Sequence, residues 1–269
     1  MQRRILIIDD HDDLASALTD VFSRAGHQVT VARSRHEGLL VPNFDDYDLV
    51  ITDLDVEPSA TPPSEGGAMS ECLPEPLLSG VNERIKAFKI CATNFRRDEF
   101  DEAELKDLVS TILDYKIKFV DKVEYVQGLH EAIEFELPSA LSLMHLILDY
   151  LMKRVERLGV IKPENSNLFV ALDEAFVNAV KHGNKFDAAK LVRITADVTR
   201  KEARFTVEDE GEGFDVSSIP DPLDPDNLFK ASGRGVLFIF NIMDEVQYNE
   251  RGNRLTMVKK SDSNEHPAG

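Results

Sequence analysis

The chain has 269 residues, 42% of them hydrophobic, and a formal net charge of −18 at pH 7. This length suits two ordinary domains, and the apolar content is sufficient for packed cores. The negative charge repels phosphate backbones, so direct DNA binding is not expected. No apolar run approaches the roughly 18 residues of a membrane-spanning helix, and the N-terminus lacks the features of a signal peptide. We therefore expect a cytoplasmic protein that does not associate with membranes.

Strand and helix patterns alternate through the N-terminal half of the sequence. Short apolar runs predict buried strands, and residues at helical spacing lie between and after them. The predicted strands are 5–8, 29–32, 49–52, 89–92 and 117–120, and the later helical patterns are 105–113 and 126–133. Such alternation predicts an α/β fold with a doubly wound parallel sheet of the flavodoxin-like kind. The Pro-, Ser- and Gly-rich segment 57–80 interrupts it, as a long loop or as a linker between domains.

The pattern changes after about residue 136. Ser139 is a candidate helix cap, a stripe of apolar residues follows it, and Gly159 ends that helix. A second helix pattern precedes Gly183, and short strands and one apolar helix complete the C-terminal half. The second helix is predicted at 165–182, the strands at 191–198, 204–208, near 246 and at 255–258, and the apolar helix at 236–243. A layered α+β domain is predicted, with domains at 1–134 and 135–260 and a flexible tail at 261–269.

Polar side chains follow the predicted strands of the N-terminal half. Asp9, Asp10 and Asp53 come at the carboxyl ends of strands, where open α/β sheets place their sites. Three neighbouring carboxylates repel one another unless a hard cation neutralises them, and Mg²⁺ prefers oxygen ligands. Thr93 and Lys122 follow the fourth and fifth strands and would reach the same edge. Taken alone, an Asp-Asp pair after a strand is more often a turn that caps a helix.

In this order the five positions make residues 1–134 resemble the receiver domains of response regulators. The resemblance implies Mg²⁺ ligation by Asp9, Asp10 and Asp53, phosphorylation of Asp53, and a switch formed by Thr93, Phe119 and Lys122. It also implies an upstream histidine kinase or phosphotransfer protein as a partner. The segment between Asp53 and Thr93 is longer than is usual in the family. The alternative is a degenerate receiver that serves only for docking.

Three further motifs lie in the C-terminal half. Glu174 and Asn178 are four residues apart on a predicted helix and share a face, so they could hold a hydroxyl group and Mg²⁺ together. The run 209–213, Asp-Glu-Gly-Glu-Gly, follows a strand; its aspartate could accept a hydrogen bond from an adenine amino group, and its glycines allow close approach. The run 233–235, Gly-Arg-Gly, opens an apolar helix whose amide groups favour phosphate. Each motif alone also fits a surface pair, an acidic turn or a simple helix start.

Their order and separation resemble the boxes of GHKL-type ATP-binding domains. Within that superfamily, the runs 178–184 and 233–239 are similar to those of anti-sigma-factor serine/threonine kinases. The resemblance implies that Glu174 activates the acceptor hydroxyl, Asn178 ligates Mg²⁺ and Asp209 reads adenine. It assigns the base and phosphate sites to Gly211, Gly213, Gly233, Arg234 and Gly235. Sensor histidine kinases share these boxes, but the helical histidine His145 lacks a following acidic residue and is expected in or near the core.

The two resemblances together predict a response regulator whose output domain is an ATP-dependent serine/threonine protein kinase that acts by partner switching. Its expected partners are an anti-sigma-factor antagonist with a STAS-like domain and a sigma factor or similar regulator; a second copy of the chain is a further candidate. ATP and Mg²⁺ are the expected cofactors. The alternative is a non-catalytic module that binds ATP and sequesters its partner under control of receiver phosphorylation.

Overall fold

The computed structural model of the chain describes residues 1–56, 85–95, 100–122, 130–161, 167–216 and 234–261. The chain divides into an N-terminal unit, Met1–Pro138, and a C-terminal unit, Ser139–Gly269. The division falls four residues after the predicted end of the first domain at residue 134. The predicted loop 57–80 and tail residues 262–269 lie outside the described residues.

The N-terminal unit is built around a five-stranded sheet with the order β2-β1-β3-β4-β5. Strands β1 and β3 pair in parallel and are almost entirely buried, as their continuous apolar runs predict. The strands are β1 Arg4–Asp9, β2 Gln28–Ala32, β3 Leu49–Val56, β4 Ile85–Cys91 and β5 His130–Pro138. The helices are α1 Asp13–Arg24, α2 Arg35–Leu39 and α3 Glu102–Tyr115, with a 3₁₀ turn at Phe44–Asp46.

The direction of β4 departs from the predicted parallel sheet. This strand pairs antiparallel with β3, so that Val50 faces Cys91 and Val56 faces Ile85. Strand β5 is parallel to β4 and therefore runs against β1, β2 and β3. The doubly wound parallel fold is thus wrong for this unit. A buried apolar run looks the same in either direction, so the sequence pattern could not distinguish the two.

The predicted strand 117–120 is also wrong. These residues belong to a π-helical turn, Lys116–Asp121, that continues α3 without a break. Lys116 and Val120 are both buried and lie four residues apart, which is the spacing of one helix face. The fifth strand is β5 instead, and Ile133, which the sequence assigned to a helix, lies inside it. Short apolar runs do not by themselves separate strand from helix.

The C-terminal unit has the predicted layered α+β arrangement. Its four-stranded sheet is antiparallel, with the order β6-β7-β9-β8, and Ala196, Phe205 and Met257 are buried side by side across three strands. The strands are β6 Leu191–Val198, β7 Glu202–Asp209, β8 Glu245–Tyr248 and β9 Arg254–Lys260. The helices are α4 Leu141–Arg157, α5 Leu168–Val177, a π-helical turn Asn178–Gly183 and α6 Arg234–Ile242.

The start of helix α4 differs from the prediction, whereas its end agrees with it. Its N-cap residue is Ala140, which makes no side-chain capping bond, so Ser139 is not the cap. At the other end Gly159 takes a φ of 75°, as expected of a glycine that follows a helix.

No helix in the described ranges combines the length and the apolar composition that crossing a membrane requires.

One buried arginine ties the first strand of the N-terminal unit to α3. Arg3 is 1% exposed, and its Nε and Nη2 atoms donate to Oε2 of Glu104 at 3.0 and 2.7 Å. Its guanidinium carbon lies 4.0 Å from the centre of the Phe95 ring. Burial alone would raise the pKa of Glu104, but the hydrogen bonds and charges of Arg3 and of the terminal amine outweigh it and lower that pKa.

We expect Glu104→Gln to lower the free energy of unfolding by roughly 3 kcal/mol, because it leaves a buried guanidinium without its main counter-ion. Since folding lowers the pKa of Glu104, the wild-type advantage is present above about pH 4.5, the ordinary value of the group, and is lost as the pH falls further. Urea denaturation at pH 7 and pH 3.5 measures both effects.

The matched control is Asp46→Asn, because Asp46 pairs with the neighbouring Arg4 at the surface, with side-chain exposures of 51% and 39%. This variant should change the free energy of unfolding by less than about 1 kcal/mol. Equal losses in the two variants would contradict a structural role of the Arg3–Glu104 pair.

Candidate functional site

The carboxylate of the aspartate at the end of β1 accepts hydrogen bonds from backbone N–H groups. The carboxylate of Asp9 accepts hydrogen bonds from the backbone N–H groups of His11, Leu14 and Ala15 at 3.0, 2.9 and 2.8 Å. Burial raises the pKa of Asp9, these N–H groups oppose the rise, and the charge of Asp53 adds to it. The side chain therefore holds the first turn of α1, which is the capping role that an Asp-Asp pair after a strand more often has.

The carboxylate of Asp53 forms a buried ion pair with a lysine. Nζ of Lys116 lies 2.9 Å from both carboxylate oxygens, and the two side chains are 4% and 5% exposed. Nζ of Lys116 is also 3.4 Å from Asp121. The predicted partner Lys122 is exposed and lies past the end of the π-helical turn. Lys116 takes the predicted place of Lys122 because residues 117–120 form a helical turn and not a strand.

The other predicted switch residues do not reach Asp53. In the antiparallel ladder Asp53 faces Phe88 and Val50 faces Cys91. Thr93 follows Cys91, so it lies toward the amino end of β3 and away from Asp53. The Thr93 hydroxyl is 2.9 Å from Sγ of Cys91. Phe119 is 42% exposed and stacks on Tyr115, with 5.3 Å between ring centres. The predicted assembly of these side chains around Asp53 is therefore wrong.

The predicted magnesium site of the N-terminal unit is also not formed. Asp10 accepts a hydrogen bond from the backbone N–H of Asp55 at 2.9 Å and contacts His11 at 2.7 Å. With Asp9 held by amides and Asp53 by Lys116, the three carboxylates face different partners. Within the ranges that the structure describes, no group of three or more His, Cys, Asp or Glu side chains could hold a metal ion.

The C-terminal unit contains a cavity of about 380 Å³ between its helices and its sheet. Helix α5 and the π-helical turn contribute Glu174, Asn178 and Gly183, and the sheet contributes Val207 and Leu255. Further lining comes from Ala175, Ala179, His182, Asp209, Gly213, Phe214, Gly235, Val236, Tyr248, Gly252, Asn253 and Arg254. The cavity therefore contains residues from all three motifs of the C-terminal half.

Glu174 and Asn178 lie on one face of the helix that forms a wall of the cavity. Both are half-buried, and Asn178 is the residue at which the α-helix changes to the wider π-helical turn. Single π-helical turns inside α-helices are frequent at functional sites. A carboxyl group and an amide group thus line the cavity together, as their spacing in the sequence predicts.

Asp209 lies on another wall, at the end of β7. Its carboxylate accepts a hydrogen bond from the Gly211 N–H at 2.8 Å, and burial raises its pKa. The helix end packs directly under this carboxylate, because a Cβ atom on Gly183 would clash with Cγ of Asp209. A Cβ atom on Gly211 would in turn clash with the Gly183 carbonyl oxygen. Only residues without side chains fit at these two positions.

Aromatic side chains line the cavity on the side of the β8–β9 hairpin. Phe214 and Tyr248 meet edge to face, with ring centres 5.3 Å apart. Burial and, to a smaller extent, the charge of Glu174 raise the pKa of Tyr248 to about 12, so its phenol stays protonated at neutral pH. Gly213, with a φ of 78°, allows the loop to pass the Arg251 carbonyl, which a Cβ atom would meet.

The third motif contacts Glu174. A Cβ atom on Gly235, in the first turn of α6, would clash with the Glu174 carboxylate. The start of α6 therefore approaches the first motif as closely as a backbone can. Gly233 lies outside the described residues, and so does the side chain of Arg234.

His145 is not the core histidine that the sequence predicts. Its side chain is 62% exposed on α4, and its Nε2 atom lies 3.6 Å from a carboxylate oxygen of Asp173 on α5. The residue belongs to the outer surface of the helices. The apolar stripe that suggested burial occupies the neighbouring face, where Met144 and Leu148 are buried.

The sequence motifs did not assign roles to two asparagines near the site. Asn253 lines the cavity, and its Nδ2 atom donates to the Asp209 carbonyl at 2.7 Å. Asn184 is fully buried directly after the π-helical turn. A short polar residue after Gly183 was visible in the sequence, but nothing there indicated that its side chain turns inward.

Comparisons with known proteins concern the C-terminal unit. Residues 137–259 match the family of histidine kinase-like ATPase domains. The serine-protein kinase RsbW of Staphylococcus epidermidis is 28% identical over 142 residues, which cover 50% of this chain and 89% of that protein. RsbW of Staphylococcus aureus (strain Newman), also a serine-protein kinase, is 27% identical over 142 residues with the same coverage, 50% and 89%. The predicted ATPase domain is confirmed, and the C-terminal unit is similar to serine-protein kinases.

We expect Gly235→Ala to weaken ATP binding by at least about tenfold, because overpacking a tight contact commonly costs ~1–3 kcal/mol. Replacing Glu174 by alanine in the same chain removes the atoms that the new methyl group meets, so the double variant should recover most of the affinity. Titration calorimetry with the four members of this cycle measures the coupling. Additive losses in the double variant would contradict the close approach of α6 to Glu174.

Proposed function

We propose that the C-terminal unit transfers the γ-phosphoryl group of ATP to a serine or threonine hydroxyl of a small antagonist protein. The observation that carries this proposal is the convergence of Glu174, Asn178 and Asp209 on one cavity, with Gly235 against Glu174. The class of enzyme, a protein serine/threonine kinase, is supported by both comparisons, the ATPase family and the serine-protein kinases. The corresponding prediction from the sequence is confirmed at that level.

Each side chain has a role that its position allows. Asp209, half-buried and held by the Gly211 amide, presents a carboxylate oxygen that can accept a hydrogen bond from the adenine amino group. Glu174 can accept the proton of the acceptor hydroxyl while that oxygen bonds to the γ-phosphorus and the bond to the β-phosphate oxygen breaks. ADP leaves, and the proton remains on Glu174 until solvent removes it.

The cavity also fits a magnesium ion brought in with the nucleotide. Asn178 offers an amide oxygen from a half-buried position, and Mg²⁺ is commonly held by one or two protein oxygens together with substrate phosphates. When bound, the ion supplies neutralisation of the charge on the phosphate oxygens. The orienting of the acceptor hydroxyl is left to Glu174.

For the cellular role we propose partner switching. The chain would hold a sigma factor or similar regulator and release it in favour of an unphosphorylated antagonist with a STAS-like domain. Phosphorylating the antagonist would return the chain to its regulator. A purely sequestering module is the second candidate, but a non-catalytic binder needs no carboxylate at the position of Glu174.

For the N-terminal unit we propose a docking or regulatory role that does not require phosphorylation. The observation that favours it is the Lys116–Asp53 pair, in which an internal ammonium group occupies both carboxylate oxygens. The ammonium group draws negative charge from the carboxylate and so lowers its nucleophilicity toward phosphorus. This interpretation takes up the degenerate receiver that the sequence left as an alternative.

We expect Glu174→Ala to lower the rate of phosphoryl transfer by on the order of 10² to 10⁴, the usual cost of losing a general base, while ATP affinity changes little. Radiolabelled ATP with the antagonist encoded nearest to this protein's gene, or with a STAS-domain panel, gives the rate, and calorimetry gives the affinity. The matched control is Asp173→Asn, because this neighbouring carboxylate faces His145 on the outer surface. A Glu174→Ala enzyme as fast as Asp173→Asn would overturn the assignment.

We expect no phosphorylation of Asp53 when the full chain is incubated with acetyl phosphate and Mg²⁺. After this treatment, intact-mass spectrometry should show no added phosphate on the wild type or on Asp53→Asn. A phosphate adduct that appears in the wild type and not in Asp53→Asn would refute the proposed role and restore the phosphoacceptor.

A further inference from the structure

Asn184 connects the two motifs that form the nucleotide cavity. It follows the π-helical turn directly and is 0% exposed. Its Oδ1 atom accepts a hydrogen bond from the backbone N–H of Glu210 at 2.8 Å, which is the residue after Asp209. Its Nδ2 atom donates to the Leu191 carbonyl at 2.8 Å and to Oγ of Ser139 at 2.6 Å. The amide group thus bonds three separate segments of the C-terminal unit.

All the hydrogen-bonding groups of this side chain are used. An asparagine has one carbonyl oxygen and two N–H donors, and here the oxygen and both donor directions have protein partners. Glu210 reinforces the same connection, because its carboxylate accepts the Leu191 N–H at 2.8 Å. A satisfied buried polar network of this kind fixes the geometry of the groups that it joins.

The backbone after Asn184 is held in an unfavourable conformation. Lys185 and Phe186 have φ values of 57° and 59°, a region that residues with a Cβ atom rarely adopt. Backbone bonds keep them there, since the Phe186 N–H donates to the Val180 carbonyl at 2.9 Å and the Asp187 N–H donates to the Asn184 carbonyl at 3.1 Å. Such strain persists where the surroundings enforce it and is concentrated near functional sites.

We infer that Asn184 is the positioning residue of the loop that reads the base, and that it fixes Asp209 through the Glu210 amide. The inference rests on the proposed ATP site, since it concerns how Asp209 is aimed. The loop has little freedom otherwise, because Gly183 and Gly211 leave no space between the helix end and the Asp209 carboxylate. A change in the orientation of the Glu210 backbone would therefore also change the direction of the neighbouring Asp209 carboxylate.

Ser139 extends this connection to the first residue of the unit. Its hydroxyl accepts from Asn184, and its backbone N–H donates to the Lys190 carbonyl at 3.0 Å. Ser139 follows Pro138, the last residue of β5, in the chain. The serine that the sequence assigned to a helix cap instead holds the amide group of Asn184 in place.

The test compares ATP with GTP, because base selectivity reports the aim of Asp209 and a general loss of packing does not change it. Wild type, Asn184→Asp, Asn184→Ala, Asp209→Asn and the control Asn241→Ala are titrated with both nucleotides. Asn241 donates to the Leu237 carbonyl on the exposed side of α6, away from the cavity. The Asn184 variants should lose roughly tenfold to a hundredfold of the ATP preference, as Asp209→Asn does, and Asn241→Ala should lose none.

Hydrogen exchange at the Glu210 and Gly211 amides provides a readout that needs no nucleotide. Both amides should exchange faster in the Asn184 variants while the rest of the unit keeps its protection. Folded Asn184 variants with wild-type selectivity and wild-type exchange at Glu210 would overturn the inference. If neither Asn184 variant folds, Ser139→Ala removes only one of the three bonds and should show a smaller shift in the same direction; no shift there would overturn it equally.

The two proposals fail in different ways. A wild-type chain that binds ATP and GTP alike would contradict the adenine-reading role of Asp209, and the exchange measurement alone would then decide whether Asn184 positions the loop. A selective wild type with unaltered Asn184 variants would leave the nucleotide site standing and remove Asn184 from it.

Discussion

The nucleotide cavity depends on two places where backbone and carboxylate meet without a side chain between them. Gly183 lies under Asp209, and Gly235 lies against Glu174. In both cases the end or the start of a helix approaches a carboxylate from another element more closely than any other residue would allow. These contacts set the distance between the wall that would read the base and the wall that would activate the acceptor.

Much of this site was predictable because its determinants are local. The spacing of Glu174 and Asn178 predicts a shared helix face. The glycines stand near the ends of elements, at 211 and 213 after β7 and at 235 in the first turn of α6. Asn184 was not assigned a role, since its partners Ser139 and Glu210 are distant in the sequence. A buried asparagine is recognised only when the segments that it joins are known to be adjacent.

In the N-terminal unit, local sequence patterns did not determine how the strands pair. Strand order and strand direction are properties of pairing, and the apolar run of β4 would be buried in either direction. The reversal of β4 moved Thr93 away from Asp53, and the helical conformation of 116–121 replaced Lys122 with Lys116. Lys116 precedes the apolar run 117–120 and Lys122 follows it, so the lysine that reaches Asp53 depends on whether that run is a strand or a helical turn.

The carboxylates of the two units differ in what lies beside them, because Asp53 faces an ammonium group, whereas Glu174 and Asp209 line a cavity. The oxygens of Asp53 accept hydrogen bonds from an ammonium group, and those of Asp9 accept them from backbone amides. Glu174 and Asp209 face a cavity, with burial raising the pKa of Asp209 and glycines keeping the space beside both side chains narrow. A carboxylate that lines a cavity can accept a proton or a hydrogen bond from a ligand there, even where one of its oxygens also accepts an internal bond, as Asp209 does from the Gly211 amide. Under the proposed function, the side chains that act on a ligand are therefore those that line this cavity.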